Sequence, residues 1–106
     1  MATDALVVLC TFPSPEKAAE VARALVEDKL AACVNIAPPV RSIYAWKGEL
    51  QDEPETLAII KTCASRYDAL ASRIAALHPY EVPEIIALPV AAGHAPYLAW
   101  LADSTR

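Results

Sequence analysis

Four stretches of this chain are nearly continuous apolar runs rich in β-branched residues: Ala5 to Thr11, Ala31 to Ile36, Thr56 to Thr62 and Glu84 to Leu88. Successive side chains on a strand point to opposite faces, so such runs place aliphatic groups on both sides of a sheet. Two amphipathic helical segments stand between them, enough to cover one side. The other side needs cover as well, and that requirement limits the folds open to the chain. Hydrophobic residues make up 56% of the 106 positions and the mean hydropathy is +0.30, yet no apolar run reaches the roughly 18 to 20 residues that span a bilayer. The second face is therefore expected to be buried by association with copies of the same chain. The alternative is that the hairpin arm and the tail fold back over it.

Ser14-Pro15-Glu16 opens the first helix, with Ser as N-cap, Pro at the first helical position and an acid in the first turn. Its apolar stripe is Ala18, Val21, Ala22, Leu25 and Val26. The second strand is interrupted at Pro38-Pro39 and resumes as Val40 to Trp46, and Lys47-Gly48 makes a tight turn. The return limb meets Pro54, so the hairpin tip is expected to leave the main sheet as an arm. Ser65-Arg-Tyr-Asp68 has the spacing of a capped helix start, Tyr67, Leu70, Ile74 and Leu77 carry the helical period, and Pro79 stops it. A short helix with a poor cap, 96–102, closes the chain. The order β-α-β-β-α-β plus a terminal helix predicts one α+β domain, residues 1–106, of the ferredoxin-like split βαβ type with an extended central β-hairpin.

Thirteen Asp and Glu against nine Lys and Arg give a net charge of −4, and the basic residues form no stripe, so no nucleic acid partner is expected. Met1-Ala2-Thr3-Asp4 has no basic leader region, which predicts a cytoplasmic protein with no membrane association. Cys10, Cys33 and Cys63 are odd in number and widely spaced, a pattern of reduced thiols and not of a disulfide framework or zinc finger. There is no nucleophile elbow or phosphate loop, and the chain has just Gly48 and Gly93, so cofactor-dependent catalysis has no support and no enzyme is expected.

The stretch HPYEVPE, 78–84, gathers an imidazole, a phenol and two carboxylates between prolines. Proton transfer by His78 or Tyr80 beside Glu81 and Glu84 is weighed against a structural role. The structural role is favoured, because Pro79 and Pro83 fix φ and bias their predecessors toward extended geometry, aiming the chain into the fourth strand. In the ferredoxin-like topology the first strand lies beside the fourth. Cys10 and His78 then fall at the same edge of the sheet, with Cys33 and Cys63 opposite. A thiolate with an imidazole suits Cu(I) or Zn(II), although two ligands per chain make at most an open or shared site. The alternative is that Cys10 is a small core residue and His78 ends a helix. Tyr44 and Trp46 have the character of interface anchors, and Trp100 that of an anchor or a core residue. Lys61, at the end of an apolar strand, needs a partner or an open edge.

LAACVNI (30–36), SIYAWKGE (42–49), IIKT (59–62) and HPYEVPEIIALPV (78–90) resemble the CutA family, the divalent-cation tolerance proteins, and the likeness runs from about Val7 to Leu101. The resemblance implies a ferredoxin-like subunit with a long central hairpin, a tight homotrimer similar to the PII signalling proteins, binding of copper or another divalent ion, and a role in metal tolerance. By position it implies Cys10 and His78 as metal ligands. Some members carry a second histidine where this chain has Leu77. Cys33 matches the family's AACxN cysteine. Tyr44, Trp46, Lys61, Tyr80, Glu81 and Glu84 are the residues expected to line a cleft where subunits meet. A PII-like signalling or scaffold trimer, with a small molecule or protein in those clefts, is the alternative function.

Overall fold

The structure is a computed structural model and describes residues 3–106; Met1 and Ala2, on which the leader argument drew, lie outside them. In chain order the elements are β1 (Ala5–Phe12), α1 (Pro15–Glu27), β2 (Cys33–Ile36), β3 (Val40–Trp46), β4 (Glu49–Cys63), α2 (Tyr67–Leu77), β5 (Ile86–Pro89) and α3 (Ala95–Ser104). The sheet order is β2-β4-β1-β5, every pair antiparallel, with β3 pairing the other half of β4. This is the ferredoxin-like arrangement, with β1 beside the last strand as the topology requires.

The register separates the two faces. Val8, Cys10 and Phe12 of β1 and Ala58 and Ile60 of β4 turn toward the helices. With Ala18, Val21 and Leu25 of α1 and Leu70 and Ile74 of α2 they form the main buried cluster. Ser14 caps α1 by accepting the Lys17 N–H at 3.1 Å, with Pro15 next to it. The second helix starts differently from expectation. Ser65 makes no capping bond; residues Ala64–Arg66 form a single 3₁₀ turn and α2 begins at Tyr67. The start is held from outside, by Ala64 N–H on the Asp4 carbonyl and Arg66 Nε on the Thr105 carbonyl at 2.8 Å.

The opposite face carries Val7 and Leu9 of β1, Leu57, Ile59 and Lys61 of β4, Cys33 of β2 and Ile86 and Leu88 of β5, which the pairing sets side by side. Helix α3 reaches one end of it, where Leu101 packs with Ala5 and Ala32 and with the half-buried Cys63, Val90 and Leu98. Ile86 and Leu88 stay half exposed. Among the described residues neither arm nor tail closes over this face. Trp100 is not core: it stands on the outer side of α3, about half exposed, tilted against Tyr97 at 5.5 Å.

The arm is real, but Pro54 does not interrupt it. β4 is a single strand of 15 residues, paired with β3 from Glu49 to Glu55 and with β1 from Thr56 to Cys63. Toward the tip β4 has one neighbour, so a proline without an N–H is tolerated there as on any edge strand. Lys47 (φ 51) and Gly48 (φ 82) both adopt left-handed backbone, the geometry of a two-residue turn that matches strand twist. The arm lengthens the molecule to 44 Å against 26 and 24 Å across.

Candidate functional site

Along β3 and β4 the register puts Val40, Ser42, Tyr44 and Trp46 opposite Glu55, Glu53, Gln51 and Glu49. Side chains alternate, so these eight share one face of the arm. That face meets the segment after α2, and between them lies a cleft of about 450 Å³ lined by Tyr44, Trp46, Glu55, Tyr80, Glu81 and Glu84, together with Thr11 of β1. Five of the six residues expected at a cleft are thus together. Lys61 is not among them: it pairs with Val7 and Cys33 in the middle of the sheet, half-buried on the bare apolar face. Glu53 and Glu55 were missed by the sequence reading. Their spacing of two along β4, in phase with Tyr44 across the turn, was the signal that could have found them.

The cleft is a field of negative charge framed by aromatic rings. Tyr80 donates its hydroxyl to Glu55 at 2.8 Å, and Tyr44 donates to Glu53. Burial, the bond to Glu55 and the charges of Glu55 and Glu53 push the Tyr80 phenol far above its ordinary range; the bond to Glu53 lifts Tyr44 to about 12. Both phenols are proton donors at neutral pH and neither is a base. Glu55 is 6% exposed and accepts from Tyr80 through one oxygen.

His78 and Cys10 sit behind the cleft. His78 ends α2 as expected, its N–H on the Ile74 carbonyl at 2.8 Å, and its ring turns back to the sheet. There it stacks on Phe12, 4.7 Å between centroids, and approaches Tyr80 at the same distance. Nε2 lies 2.7 Å from the Thr11 carbonyl oxygen, which can accept only, so Nε2 carries the proton; Nδ1 accepts the Tyr80 N–H at 3.1 Å. Cys10 lies within β1, fully buried, with Sγ 3.8 Å from the same Thr11 carbonyl. Burial first, then the charges of Glu84 and Glu55, push its thiol up to about 12. The two side chains thus converge on one backbone carbonyl. A metal ion would have to displace the thiol proton and one of the two ring hydrogen bonds, so the pair as arranged is not preformed for a metal ion. Among the described residues no three His, Cys, Asp or Glu side chains gather as a metal site.

The sequence model described as CutA1 divalent ion tolerance protein matches residues 6–104. This chain belongs to the CutA1 family. The divalent-cation tolerance protein CutA of Thermus thermophilus is 52% identical over 99 residues, 93% of this chain and 96% of that protein. The solved structure of the divalent cation tolerance protein from the same organism gives a TM-score of 0.93 at 51% identity, over 96% of this chain and 99% of that one. Human CutA is 50% identical over 96 residues, 91% of this chain and 54% of its own length, so the chain spans about half of that relative. The CutA structure of Archaeoglobus fulgidus, described as periplasmic, is 33% identical with a TM-score of 0.93, covering 96% and 99% of the two chains. Family membership agrees with the ferredoxin-like fold and carries divalent-cation tolerance as the general function. No helix among the described residues is long and apolar enough to cross a membrane.

Proposed function

We propose that this chain serves divalent-cation tolerance in the cytoplasm as a single-domain subunit of a homotrimer, its copies joining over the apolar sheet face that α3 leaves bare. The observation that supports the reading is that face: Val7, Leu9, Leu57, Ile59, Ile86 and Leu88 form one surface, and covering the part of each that is still exposed, at most about half, contributes up to about 1 kcal/mol per side chain. The cleft opens at the end of the same surface, since Glu55 is in phase with Leu57 and Ile59 along β4, so a neighbouring copy would border it. The number three comes from the family resemblance.

The finer reading, copper held by Cys10 and His78, asks for two changes: the thiol must lose its proton and Nε2 must leave the Thr11 carbonyl. The affinity of thiolate for a soft ion is what would drive them. One experiment separates the claims. Light scattering at low micromolar concentration should give three times the 11.4 kDa chain mass, and a lone chain would remove the assembly. Titration of metal-stripped protein with Cu(I) and Cu(II) should show binding that a Cys10→Ala/His78→Ala variant lacks. Unchanged binding in that variant would move the ion elsewhere. The alternative, a small organic ligand in the cleft, is favoured by its volume, which falls in the range of small-molecule sites.

A further inference from the structure

Three features of the cleft bear on the chemistry of a ligand. Its lining holds three carboxylates, Glu55, Glu81 and Glu84, and among the described residues no basic side chain lines it, so an anion entering it meets repulsion once past Lys47 at the rim. The carboxylates are spread around a volume of about 450 Å³ and do not converge as a metal site, so a compact ion would touch one and miss the rest. Between them stand the rings of Trp46, Tyr44 and Tyr80, the first two more than a third exposed, and aromatic faces attract cations with little hydration.

An independent observation shows which cation the mouth accepts. Lys47, at the tip of the arm, folds its side chain back. Its Nζ lies 5.7 Å from the Trp46 ring centroid and 3.4 Å from Glu81 Oε2. An alkylammonium thus rests beside Trp46 and Glu81 at the rim of the cleft, outside its lining. The contact is loose, both partners about 70% exposed, so it is easily given up. Glu55 is more than nine-tenths buried as a residue, and its second carboxylate oxygen, which has no donor among the described residues, is open to the solvent of the cleft.

We propose that this cleft binds a small organic amine, its ammonium held between the Trp46 ring and Glu81, its alkyl body along Tyr44 and Val82, and a second positive group facing Glu55. Lys47 is then an internal competitor that the ligand displaces. The groups named come from one chain; a neighbouring copy would border the cleft, and the proposal does not rest on copper.

The probe is 1,5-diaminopentane, titrated calorimetrically into the full-length protein, with 1,5-pentanediol as neutral isostere and magnesium as competing ion. The diamine should bind once per chain and weaken as salt rises, while the diol gives no signal and millimolar magnesium leaves the affinity within about twofold. Lys47→Asn, which keeps the left-handed turn because Asn tolerates it, should tighten binding about three- to tenfold. Glu81→Gln and Trp46→Leu, both at exposed positions where folding is not at stake, should each weaken it about fivefold or more. Equal binding of diamine and diol, displacement by magnesium, or a Lys47→Asn variant that binds no tighter would each overturn the proposal.

Discussion

Replacing His78 by Phe asks whether its ring nitrogens hold the fold together. Phenylalanine keeps the flat ring that stacks on Phe12 at 4.7 Å and 23°. It deletes the 2.7 Å donor to the Thr11 carbonyl and the 3.1 Å acceptor of the Tyr80 N–H. A buried polar group that loses its partner costs about 1 to 3 kcal/mol. Thr11 is 8% exposed and its carbonyl keeps just the weak Cys10 S–H at 3.8 Å, so it gives most of the penalty, whereas Tyr80 is half-buried and water relieves part of it. The sum is about 2 to 4 kcal/mol. His78→Ala should lose about 1 kcal/mol more with the stack. The assay is urea unfolding in a chelating buffer at one fixed protein concentration, because assembly makes apparent stability depend on concentration. A His78→Phe variant within about 0.5 kcal/mol of the parent in chelator would refute the reasoning, and a loss seen only with metal added would show that the nitrogens serve an ion and not the backbone.

Cys63 is partly exposed beside α3 and should react with a thiol reagent at pH 8, while buried Cys10 should stay silent until the protein unfolds, and Cys33 should be slowed by the assembly that covers its face; native labelling of Cys10 and Cys63 at one rate would contradict the burial of Cys10. Because the folded state raises the Cys10 pKa, its contribution to stability is present below the free-thiol value of 9.0 and falls away as pH climbs toward about 12, so unfolding midpoints should drop across that window. Gly48→Val should cost about 1 to 2 kcal/mol through backbone strain alone, since φ is 82° and a Cβ there would meet nothing within 4 Å; calorimetry should show the loss. Ser14→Ala removes the α1 cap and should cost about 1 kcal/mol by the same measurement.

The elements were legible where one local signal ruled. The apolar runs of β1 and β4, the Ser14-Pro15 start, the Lys47-Gly48 turn and the stop at Pro79 each state their geometry within a few residues. The start of α2 was not, because the groups that hold it, the Asp4 and Thr105 carbonyls, are distant in sequence. Most of the cleft was readable from its aromatic and acidic residues, yet Glu53 and Glu55 appear only once β3 and β4 are set in register. The posture of His78 was hidden for a different reason. Its partner is a backbone carbonyl, and a backbone group leaves no mark in a sequence.

The length of β4 has a mechanical consequence. A strand clamped between β1 and β2 at one end and paired with β3 alone at the other passes part of any twist at Trp46 and Lys47 to the hydrogen-bonded rows at Leu57 and Ile59. Occupancy out at the tip would thus be felt, as a twist, at the flank where a sister chain would rest.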